Sequence, residues 1–121
     1  MKELDKTIKL KCSPKELNEV VAGERTVITR EILPSNAHLF VILNELRECT
    51  GIIPRDFVEL QCRKYGAAVT ARVEKIQLME IVDAEDELVF YNWHGETYQA
   101  VDIDFHIGEI VSKSGVFPIV H

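Results

Sequence analysis

No apolar run in this chain approaches the ~20 residues that cross a bilayer as a helix. Its charged opening, Met1-Lys2-Glu3-Leu4-Asp5-Lys6, is followed by no apolar leader core. A cytoplasmic protein with no membrane partner is the expectation. The three cysteines, Cys12, Cys49 and Cys62, are too few for a closed disulfide framework and contain no C-x-x-C, so free thiols are expected. His38, His94, His106 and His121 share no ligand spacing with one another or with the cysteines, so no metal and no cofactor is expected. None of the six glycines has the spacing of a phosphate loop or a dinucleotide fingerprint, and no serine sits in a nucleophile elbow. These absences remove the common enzyme classes, and a non-enzymatic role is favoured. Cations are also scarce. Fourteen Lys/Arg face twenty Asp/Glu, a formal net charge of −6, which excludes non-specific nucleic-acid binding through bulk phosphate attraction.

What is present suits one soluble domain over 1–121, with 46% hydrophobic and 28% charged residues and enough chain to bury a core. The charge is uneven: residues 1–30 hold seven Lys/Arg against five Asp/Glu, and residues 31–121 hold seven against fifteen. Ile8, Leu10 and Cys12 alternate with Thr7, Lys9 and Lys11, the pattern of a half-buried strand. Ser13-Pro14-Lys15-Glu16 offers a cap, a proline at the first helical position and a glutamate that reaches back. Leu17, Val20 and Val21 then form an apolar stripe, and Gly23 closes the helix. Thr26–Ile32 reads as a β-branched strand broken by Pro34-Ser35-Asn36.

Residues 37–48 fit two patterns. Leu39, Ile42, Leu43 and Leu46 make a helical stripe, while 39–43 also suits a buried strand; Asn36 as a cap and the composition of 44–48 favour the helix. Cys49-Thr50-Gly51 reads as loop. Strands are expected over 57–63, 67–78, 87–92, 97–105 and 107–111, with Trp93-His94-Gly95-Glu96 as a four-residue hairpin loop. The fold class is mainly β with one or two helices, arranged as a small barrel.

Three segments carry a resemblance: the helix followed by Gly23-Glu24-Arg25-Thr26-Val27-Ile28-Thr29-Arg30, the strand Ala68–Ile76, and Phe105-His106-Ile107-Gly108-Glu109-Ile110. In this order they resemble the ASCH domains of the PUA-like superfamily, small RNA-associated β-barrels with a Gly-x-Lys-x-x-x-x-Arg signature after a helix. The resemblance spans residues 7–111 and implies a PUA-like barrel. Its ligand cleft would lie beside 23–30, with Gly23, Arg25, Thr26 and Arg30 binding RNA or a nucleotide-like ligand. The lysine of the signature is Arg25 here, and the position two before the arginine, often glutamate, is Ile28. Some ASCH proteins resemble amidohydrolases of acetylated cytidine, using a lysine, a threonine and a glutamate. Arg25 and Ile28 stand at the first two positions, and arginine is a poor base because its pKa stays above ~12. The weakened hydrolase alternative leaves Glu74 as its one titratable candidate.

Each of these residues also has a structural role open to it. Arg25 and Arg30 can pair with acidic neighbours such as Glu24 and Glu31, Glu74 can sit solvated beside Lys75, and Thr26 and Thr29 can serve strand propensity. Tyr91, Trp93, His94 and Tyr98 either stack a base or form a cross-strand pair under a tryptophan lid. A third reading is a protein-interaction module, suggested by the acidic later two-thirds and the hairpin.

Overall fold

The alternation at the start of the chain becomes strand β1 (Thr7–Lys11), with Ile8 and Leu10 buried and Lys9 and Lys11 exposed. The computed structural model describes residues 6–115. Helix α1 (Pro14–Val21) follows, capped by the Ser13 hydroxyl, which accepts from the Glu16 backbone N–H at 3.1 Å; Leu17 and Val20 turn inward. Gly23 lies just past its end at φ +78°, and the backbone N–H groups of Glu24 and Arg25 both donate to the Glu19 carbonyl. The chain then runs through β2 (Val27–Ile32), a short 3-10 turn (Ala37–Leu39), β3 (Val41–Leu43), β4 (Cys49–Ile52) and β5 (Phe57–Cys62). After these come β6 (Ala67–Glu80), β7 (Phe90–Trp93), β8 (Glu96–Gln99) and β9 (Val101–Ser114).

The protein is therefore mainly β with one α-helix among its described residues. Five strands form a sheet in the order β1-β5-β6-β9-β2, and β3-β4 and β7-β8 are separate two-stranded ladders. The expected barrel is a correction: among the described residues the sheet does not close, and β1 and β2 are its two edges. Strand β1 runs parallel to β5, while β5 and β6 are antiparallel.

The chain divides into two compact units. The first is Met1–Ile28, Pro54–Lys75 and Phe105–His121. Its core is built from cross-strand rows, Ile8–Val58–Ala71 and Leu10–Leu60–Val69, with Leu17, Val20, Ile28 and Phe105 buried as well. The second is Thr29–Ile53 and Ile76–Asp104, with Ala37, Phe40, Val41, Ala100 and Ile103 buried.

In the second unit the expected helix over 37–48 is replaced by the 3-10 turn and the β3–β4 hairpin. The physical reason lies in two asparagines. Asn36 turns backwards: its Oδ1 accepts from the Leu33 backbone N–H at 2.7 Å and its amide donates to the Glu31 carbonyl, so it caps nothing downstream. Asn44 Oδ1 accepts from the backbone N–H groups of both Leu46 and Glu48 at 2.9 Å, a side-chain turn that competes with helix. Cys49-Thr50-Gly51, expected as loop, is the returning strand. The second hairpin turns on two residues rather than four. His94 and Gly95, at φ +51° and +83°, follow directly from the Trp93–Glu96 pair, a turn whose handedness matches the strand twist. Strand β9 is continuous through His106, where a break was expected.

Candidate functional site

The helix–glycine–strand segment is held by its own helix. Arg25 Nε and Nη2 both donate to Glu19 Oε1, at 3.0 and 2.5 Å, and Nη1 lies 4.0 Å from Glu16 Oε2. The hydrogen bond to Glu19 raises the Arg25 pKa further, against the effect of burial. The acidic partners are thus Glu19 and Glu16 on α1, three residues apart and so on one face of the helix. Thr26 is exposed, and its carbonyl accepts from the Ile107 backbone N–H at 2.9 Å. Gly23 is exposed, with open space around its α-carbon. Ile28 is fully buried and serves the core.

Gly23, Arg25 and Thr26 belong to the first unit, and Arg30 to the second. Arg30 is half-buried, and its Nη1 donates to the Thr29 carbonyl at 2.8 Å. The Thr29 hydroxyl donates to Asp104 Oδ1 at 2.7 Å. Burial, and then the charge of Asp104, pushes the Asp102 carboxyl above its ordinary value. Glu74, in the first unit, is exposed and lies over Gly108; a side chain there would run into its carboxylate. Tyr91 and Tyr98 face each other across β7–β8 and stack at 5.9 Å between ring centroids, the cross-strand pair. Burial, with help from Glu31, raises the Tyr91 pKa.

A recess that no sequence motif marks lies in the second unit. It has a volume of about 380 Å³ and is walled by Ile32, Ala37, Val41, Leu43, Leu78 and Val101. Arg47, Gln99 and Cys49 supply its polar atoms. Arg47 is exposed at the β3–β4 turn, at φ +62°, where the Asn44 turn sets its backbone. Gln99 is fixed by donating through Nε2 to Glu80 Oε2 at 2.8 Å, which leaves its carbonyl oxygen for another partner. Cys49 Sγ donates weakly to the Gly51 carbonyl at 3.6 Å. Such a site offers apolar walls, one bidentate cation and one amide. No local periodicity announces it, because its walls come from five separate stretches of chain.

A smaller recess of about 250 Å³ lies in the first unit at the β5–β6 turn, between Gln61, Arg63, Ala68 and Ser114. Among the described residues no group of His, Cys, Asp and Glu could hold a metal, and no helix is long and apolar enough to cross a membrane. Comparison with known proteins finds no matching family model, curated relative or solved structure.

Proposed function

We propose that this protein is a non-enzymatic binding domain whose ligand is a small molecule with a flat ring and one anionic group. A nucleotide is the member of that class implied by the ASCH resemblance. The observation that carries the reading is the recess of the second unit, about 380 Å³, with Arg47 and Gln99 at its polar side. That volume falls within the ~300–1,000 Å³ typical of small-molecule sites, which are mostly apolar with a few placed polar groups. The branched walls, Ile32, Val41, Leu78 and Val101, pack against the faces of a ring. The Arg47 guanidinium takes a phosphate or carboxylate through paired N–H donors, and the Gln99 carbonyl accepts from a base edge. A polymer of phosphates fits less well, because the second unit holds eleven Asp/Glu and only two Arg. One or two ligand charges are tolerated where a run of them is repelled.

A thermal-shift panel of adenosine, AMP, GMP, CMP and UMP tests the reading, run beside the Arg47→Glu variant. Stabilisation by at least one monophosphate, weakened for its nucleoside and lost in Arg47→Glu, is expected. Equal shifts in the two proteins, or none with any probe, would sink it.

A further inference from the structure

Unit 2 also presents an apolar face that is independent of the recess. Val82 and Leu88 oppose each other across an antiparallel bridge, and Phe90 follows two residues later on the same side of the extended chain. Their exposures are 45%, 42% and 55%. Three large apolar side chains in one row are thus held in water by backbone pairing, since Phe90 is itself in register with Gln99. The turn that joins the two sides is bonded to itself. The Asp83 N–H donates to the Glu87 carbonyl at 2.9 Å, and the Asp86 N–H to the Asp83 carbonyl at 3.0 Å. Asp83 Oδ1 accepts from the backbone N–H groups of Glu85 and Glu87 at 2.9 and 3.0 Å. With Asp83 used inside the turn, Glu85, Asp86 and Glu87 point their charges outward beside the apolar row.

The charge around this row says what covers it. Residues 76–104 contain eight Asp/Glu and no Lys or Arg. An anionic partner such as RNA is repelled by that rim, and a partner bearing cations beside an apolar stripe is steered to it. We propose that the 82–90 row is a docking surface for a basic amphipathic segment of another protein. Its apolar stripe would cover Val82, Leu88 and Phe90, and its Lys or Arg side chains would meet Glu85, Asp86 and Glu87. The apolar row supplies affinity and the carboxylates supply orientation and association rate.

The test uses the full chain and a fluorescein-labelled amphipathic Leu/Lys peptide about five helical turns long. Two counterparts carry Glu in place of every Lys, or Ser in place of every Leu. The Leu/Lys peptide is expected to bind, with Kd raised about tenfold or more by Leu88→Ser/Phe90→Ser and by Glu85→Lys/Glu87→Lys. The second pair alters exposed side chains, so it keeps the test open if the serine variant fails to fold. Both counterpart peptides should bind at least about tenfold more weakly. Equal binding of the Ser peptide, or Kd unchanged in the charge-reversal variant, would overturn the proposal. Self-association of the chain, abolished by Phe90→Ser, would also overturn it by making a second copy the occupant.

Discussion

Ile28 and Asp102 show how single residues in this protein exchange polarity for packing, or fail to. Ile28 is fully buried with Leu17, Val58 and Phe105 among the largest core side chains. Truncation to alanine should cost ~2–5 kcal/mol, the range for a buried aliphatic side chain whose site collapses only partly. Urea denaturation of Ile28→Ala measures it; a loss below ~1 kcal/mol would contradict the packing. Asp102 is the opposite case, a carboxylate held partly out of water beside Asp104. Its raised pKa means that the folded state binds the proton more tightly than the unfolded chain. Ionisation at neutral pH therefore weakens the fold, and that penalty fades as pH falls from above the raised value towards the ordinary carboxylate range near ~4. Asp102→Asn should raise Tm at neutral pH, and the gain should shrink on acidification. A gain that is equal at both ends, or a loss at neutral pH, would show that the carboxylate is not under this strain.

The β3–β4 hairpin is the element on which fold and candidate site meet. Asn44 accepts from two backbone N–H groups and donates to Glu48 Oε1 at 3.0 Å, so one side chain sets the turn that carries Arg47. Asn44→Ala should lower stability by about 1 kcal/mol, the net worth of such bonds on a surface. It should also weaken ligand binding at the recess, because Arg47 loses its fixed backbone. Unchanged affinity would uncouple the turn from the site. This hairpin is also where the sequence misleads. Leu39, Ile42, Leu43 and Leu46 have helical spacing, but Ile42, Leu43 and Leu46 are exposed, and the asparagines flanking the run satisfy backbone groups in non-helical turns. Spacing cannot reveal which way an asparagine will point. By contrast, α1 was legible from Ser13, Pro14 and Gly23, and β1, β5 and β6 from strict alternation, because those signals act within a few residues of the structure they cause. Closure of a barrel is a long-range property of the sheet, and local alternation left it undetermined. The recess was illegible for the same reason: Ile32, Arg47, Leu78 and Val101 are brought together only by tertiary folding.

Over the molecule as a whole, formal charge separates by unit. Residues 29–53 and 76–104 hold eleven Asp/Glu against two Arg, and the rest of the chain holds nine against twelve Lys/Arg, so the net −6 divides into −9 and +3. The basic bias of the first thirty residues, visible in the sequence, is one part of that division. Arg25, its apparent focus, is engaged by Glu19 and Glu16, whereas Arg47 draws attention only once the recess is seen. Binding of a small ligand in the second unit therefore rests on one arginine and on apolar walls. Calorimetric titration of AMP into the native chain, Arg47→Glu and Val101→Phe addresses that claim directly. Saturable one-to-one heat in the native chain, with affinity reduced about tenfold or more in each variant, is the predicted result. Affinity unchanged by the charge reversal and by filling the recess would place the ligand elsewhere and contradict it.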